Sequence, residues 1–138
     1  MEARCSFIYN TIEMPVSRVL ITPEADELLN VLKQKHGALM FHQSGGCCDG
    51  SQPMCFEKGD FILGQSDVCI GSISDCEFWM NKDQFEYWKF TQLTVHVSKG
   101  RGSSFSLEIP MGMRFLTQSR LFTDQELLDL EPLRFVED

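Results

Sequence analysis

Basic side chains are scarce in this chain. Twelve Lys and Arg stand against 20 Asp and Glu, a formal net charge of −8. That deficit argues against general binding to nucleic acid or to anionic membrane, since both rest on an excess of cations. Also lacking is any apolar run near the ~18 residues needed to span a bilayer. The opening Met1-Glu2-Ala3-Arg4-Cys5-Ser6-Phe7 has no basic segment followed by an apolar stretch, so no secretory leader is expected. A cytoplasmic protein is the resulting expectation. No P-loop, dinucleotide fingerprint, serine-triad motif or H-E-x-x-H occurs, which leaves common nucleotide- and protease-type chemistry, and a nucleotide cofactor, without support.

The chain is rich in cysteine. Six occur among 138 residues, and without export an even count is no argument for disulfides. In a reducing compartment, clustered cysteines more often bind metal or carry redox chemistry. Cys47, Cys48 and Cys55 fall in one short segment, Cys69 and Cys76 follow, and Cys5 stands apart. The length favours one domain, which at this size buries ~70% of its unfolded surface. We divide it as residues 1–138, a single domain, with an N-terminal arm (1–15), a core (16–122) and a C-terminal helix and tail (123–138).

Periodicity sets the expected elements. Val16 to Ile21 suits a strand. Thr22-Pro23-Glu24 opens a helix whose apolar face is Ala25, Leu28, Leu29 and Leu32, and Gly37 stops it. Ala38 to His42 reads as a buried strand running into Gln43 to Ser51, where three glycines exclude a regular element. Cys55 to Leu63 and Asp67 to Ile73 read as strands, and Asn81 caps a short helix through Trp88. Gln92 to Val97 alternates, a turn follows at Lys99 to Ser103, and Phe105, Leu107 and Ile109 resume the alternation, which predicts a hairpin. Met113 to Leu116 adds a strand, and Thr123 to Glu126 matches a capping box. The sum is an α+β fold, β-rich, with a mixed or antiparallel sheet, an N-terminal helix and short later helices.

The chemistry centres on His42 to Cys55. Gly45 and Gly46 permit close backbone approach to a bound group. Thiolates of Cys47, Cys48 and Cys55, with the His42 imidazole or the Asp49 carboxylate, form a donor set for zinc, iron or an iron–sulfur cluster. The spacing is not that of a zinc finger, because no C-x-x-C is present. Cys5, Cys69 and Cys76 read as packing residues. His36 reads as a cation at a helix C-terminus, and His96 as a residue on the polar face of its strand.

Three functions stay open. The first is a metal- or cluster-binding accessory protein. The second is a thiol-redox or detoxifying enzyme in which Cys47 or Cys48 is the nucleophile, helped by His42 as base. The third is an adaptor using the aromatic segment from Phe78 to Phe90. An exposed sheet edge would also let two copies pair.

The stretches HGALMFHQSGGCCDGSQPMC (His36 to Cys55), FEYWKFTQL (Phe85 to Leu93), Gly100-Arg101-Gly102 with Phe105 to Glu108, and Phe115-Leu116-Thr117 resemble a bacterial family catalogued as a domain of unknown function, number seven-seven-nine. That resemblance implies a small cytoplasmic protein associated with an aldehyde dehydrogenase. More distantly, Ile21-Thr22-Pro23-Glu24-Ala25, the following strand and Gly45-Gly46-Cys47 are similar to the opening of the HesB-like A-type iron–sulfur carriers. The likeness implies a HesB-like fold and places Cys47 on the first cluster-ligating cysteine and Cys48 where the carriers have serine. The carriers' paired C-terminal cysteines have no counterpart, since no cysteine follows Cys76.

Overall fold

In a computed structural model, residues 15–44, 51–100 and 106–136 are described. Strand β1 (Val19–Ile21) leads into helix α1 (Pro23–His36). The helix starts where expected: Thr22 Oγ1 accepts from the Ala25 N–H at 3.3 Å, and Pro23 occupies the first turn, where its missing N–H costs nothing. Ala25, Leu29 and Leu32 form its buried stripe. Gly37, at φ 85°, ends it and returns its N–H to the Lys33 carbonyl.

The strands β2 (Leu39–Gln43), β3 (Met54–Glu57), β4 (Asp67–Ile73) and β5 (Cys76–Asn81) follow, then α2 (Lys82–Trp88), β6 (Thr91–Lys99), a 3-10 turn (Ile109–Met111), β7 (Met113–Leu121), α3 (Asp124–Leu127) and β8 (Arg134–Phe135). They form two sheets. The smaller has the order β1-β6-β7 and the larger β3-β2-β5-β4-β8. In the smaller, β1 runs parallel to β6 and β7 antiparallel to it. In the larger, β2 is parallel to β5, and the remaining pairs are antiparallel.

The two sheets and α1 share one core. Phe41 stacks on Phe78 at 5.7 Å and meets Phe115 of the other sheet edge-on at 5.2 Å. Leu29, Leu32, Leu93, Val95 and Cys55 pack around them. The large sheet is covered on its second face too, by a separate cluster of Met40, Cys69 and Trp79 under Phe56, Phe61, Leu63 and Val136. This double coverage explains why β2 is buried at all five positions: alternate residues enter two different apolar layers. Where β4 bulges between Cys69 and Gly71, Gly71 has φ 153°, and a Cβ there would lie 3.2 Å from Val19 Cγ1. The position therefore needs glycine, and it lets β1 approach β4 closely.

Three expectations need correcting. Phe105 of the expected partner stretch lies outside the described residues, and the partner of β6 is not Leu107 to Ile109 but the nine-residue β7, in register from Thr91 opposite Leu121 to Lys99 opposite Met113. Ser106 to Glu108 instead runs along the edge of β3, where Leu107 N–H donates to the Cys55 carbonyl at 3.1 Å and Cys55 N–H donates to Ser106 Oγ at 2.8 Å. The fully buried Glu108 carboxylate accepts from the Phe115 N–H at 3.0 Å and from the Ser106 hydroxyl. Second, the strand expected over Cys55 to Leu63 stops at Glu57. Gly59 at φ 102° turns the chain into a strap that carries Phe61 and Leu63 over the outer cluster. Third, Cys76–Asn81 is a central strand, which sequence reading left as a group of aromatic residues.

Candidate functional site

The site begins with strand alternation. His42 follows Phe41, whose side chain enters the main core, so the imidazole points to the outer face of the large sheet, the face of Met40. It is only 4% exposed. Its flat side stacks on Phe61 of the strap, centroids 4.2 Å apart and planes 26° from parallel. Both ring nitrogens are used. Nε2 lies 2.9 Å from Asp67 Oδ1 and Nδ1 lies 2.7 Å from Ser44 Oγ.

The hydrogen-bond chain has a direction. A carboxylate only accepts, so Nε2 carries a proton and donates it to Asp67. In the tautomer with its proton on Nε2 alone, the ring presents the lone pair of Nδ1, which accepts the Ser44 hydroxyl proton. The second oxygen of Asp67 accepts from the Gly64 N–H at 2.9 Å, so both carboxylate oxygens are held. Asp67 opens β4, with β5 lying between it and β2. The histidine therefore spans a neighbouring strand to reach its partner. Asp67 is buried whereas Ser44 is exposed: the chain of bonds runs from a shielded charge to a hydroxyl at the surface.

The expected metal donors separate. Gly45, Gly46, Cys47, Cys48 and Asp49 lie outside the described residues. His42 and Cys55 are described, and they face opposite sides of the large sheet, Cys55 packing with Phe41 in the main core. One ion cannot touch both. Burial pushes the Cys55 thiol up, with the nearby Glu108 charge adding to the effect. Burial likewise raises the thiols of Cys69 and Cys76. These three are poor nucleophiles at neutral pH. Among the described residues no group of three or more His, Cys, Asp or Glu is gathered to hold a metal ion.

The other histidines lie elsewhere. His36, in the last turn of α1, pairs with Glu57 at 2.9 Å. His96 stands on β6 opposite Leu116, with a buried Nε2 that meets no hydrogen-bond partner among the described residues. Both ends of the cysteine segment are anchored: Ser44 is bonded to His42, and the Ser51 carbonyl accepts from the Thr117 N–H at 2.8 Å and its hydroxyl at 3.1 Å.

Sequence reasoning missed Ser44, Asp67 and Phe61. The i, i+2 spacing of His42 and Ser44 is a one-face signal in a strand. Asp67 and Phe61 carried none, because only the strand order and the glycine-bounded strap bring them to the imidazole.

Fold and site together define an α+β domain with a buried imidazole–carboxylate pair at the root of a glycine- and cysteine-rich segment. The chain belongs to the family Domain of unknown function (DUF779), whose model matches residues 28–121. The matched span runs from within α1 to the end of β7 and includes Ser44, His42, Phe61 and Asp67. No curated protein and no solved structure matches. Among the described residues no helix is long and apolar enough to cross a membrane.

Proposed function

We propose that the protein is a thiol-dependent enzyme in which the Asp67–His42 pair is the general base and Cys47 or Cys48 is the nucleophile. The observation that supports this reading is the directed chain Asp67–His42–Ser44, which ends at the residue where the cysteine segment begins. A histidine oriented by a buried carboxylate is the arrangement that activates hydroxyl and thiol nucleophiles. In the proposed step the thiol proton passes to the Ser44 oxygen while the Ser44 proton passes to Nδ1. The thiolate sulfur then bonds to an electrophilic carbon of the substrate. A carbonyl compound would suit the association with aldehyde dehydrogenases that the family likeness implies: the thiolate adds to the carbonyl carbon and the alkoxide oxygen recovers the proton from His42.

A metal reading would have to draw on Cys47, Cys48 and Asp49, because His42 and Cys55 face opposite sides of the large sheet. The two readings part in one experiment. Metal-free protein is treated at pH 7 with limiting iodoacetamide, and the tagged cysteines are mapped by mass spectrometry. The enzyme reading expects Cys47 or Cys48 to be tagged well before Cys55, Cys69 and Cys76 and faster than free cysteine. Loop thiols that react no faster than free cysteine refute it.

A further inference from the structure

We infer that Ser44 is itself a nucleophile, and that the Asp67–His42–Ser44 chain forms an acyl-transfer site for esters or thioesters. This goes beyond the thiol reading: it shares the base but needs neither Cys47 nor Cys48, and every residue in it is described. The geometry supplies a serine nucleophile with a base and an acid that orients the base. The hydroxyl is within 2.7 Å of an imidazole nitrogen, the opposite nitrogen is 2.9 Å from a carboxylate, and that carboxylate is fixed in turn by a backbone N–H at 2.9 Å.

Burial is graded as such a site needs. Asp67 and His42 are 8% and 4% exposed, so their interaction is poorly screened, while Ser44 is open to a substrate. Phe61 lies flat on the imidazole and limits rotation of the ring away from its two partners.

The reaction balances without a cofactor. Ser44 Oγ attacks the acyl carbon as its proton moves to His42 Nδ1. The tetrahedral adduct collapses, the alcohol or thiol leaves with that proton, and acyl-Ser44 remains. Water then attacks the acyl carbon, giving a proton to Nδ1, and the carboxylic acid departs as the proton returns to Ser44. The net change is hydrolysis of one ester or thioester bond.

The test uses a fluorophosphonate probe and p-nitrophenyl acetate on the full chain, with peptide mapping of the modified residue. Covalent probe on Ser44 is expected in the wild type and in the Cys47→Ser/Cys48→Ser variant, and none at that position in Ser44→Ala. Asp67→Asn should slow the labelling of Ser44 by at least about 100-fold, as expected when the carboxylate that sets the tautomer is lost. Circular dichroism checks that each variant is folded, including Ser44→Ala, which removes the hydroxyl bonded to His42 Nδ1. Three results would overturn the inference: no covalent adduct, an adduct confined to cysteine, or labelling of Ser44 that Asp67→Asn leaves unchanged. An adduct confined to cysteine would leave the thiol reading standing, so the two proposals fail separately.

Discussion

Replacing Asp67 by Asn probes the buried pair with almost no change in shape. The carboxylate accepts two hydrogen bonds, from His42 Nε2–H and from the Gly64 N–H. An amide has one acceptor oxygen, so one of those donors must face an NH2 group or the imidazole must change tautomer, which then turns the Ser44 hydroxyl from donor to acceptor. Either way one bond to a charged acceptor is lost inside a site where the two side chains are 5% and 11% exposed. Such a bond is worth about 1.5–3 kcal/mol. For a domain of this size each kcal/mol moves the melting temperature by about 4 °C, so the variant should melt roughly 6–12 °C below the wild type. Circular dichroism melts and urea titrations give both quantities. A double-mutant cycle with His42→Gln isolates the pair, and its coupling should be about 2 kcal/mol. A midpoint unchanged within about 0.5 kcal/mol, or strictly additive single variants, would refute the reasoning.

Other parts of the molecule make further demands. Cys55→Ser places a hydroxyl among Phe41, Phe78 and Phe115 and should cost about 1–3 kcal/mol in urea unfolding; native Cys55 should stay unmodified by alkylating agents that reach it only on denaturation. Gly71→Ala brings a Cβ to 3.2 Å from Val19 Cγ1 at a φ of 153°, and a measured loss below about 1 kcal/mol would contradict the close approach of β1 to the bulge. Glu126 is doubly held, by Arg120 and by the capping bond from the Thr123 N–H, which lower its carboxyl to about 2. Its folded value lies below its unfolded one, so its contribution is complete above the ordinary glutamate range and fades as pH falls towards about 2. Glu126→Gln should therefore flatten the acid limb of the stability curve in that window, and parallel limbs would count against the assignment.

Local signals in the chain were good where local physics decides. Thr22-Pro23 and Gly37 bracket α1, Asn81 opens α2, and Thr123 with Glu126 caps α3, because each cap is satisfied by residues two to four positions away. The hairpin was misassigned because Phe105, Leu107 and Ile109 alternate as a strand does, whereas the buried Glu108 ties this stretch to β3 and to Phe115, contacts that no period reveals. The same limit governs the site. His42 was legible as a candidate, but its occupied nitrogens depend on a carboxylate 25 residues away that crosses one strand to reach it. Cys55, flanked by the apolar Met54 and Phe56, read as either a ligand or a core residue, and alternation about Phe41 places it in the core.

The central claim is that the Asp67–His42 pair prepares a nucleophile at the start of the cysteine segment. The most direct measurement is the alkylation rate of Cys47 and Cys48 in wild type against Asp67→Asn and His42→Gln, with added free cysteine as the standard. General-base assistance is worth about 10² or more in rate. The account predicts that both variants, still folded, lose at least about ten-fold at the loop thiols and nothing at the standard. Rates at the loop that stay within two-fold of wild type in both folded variants would contradict it.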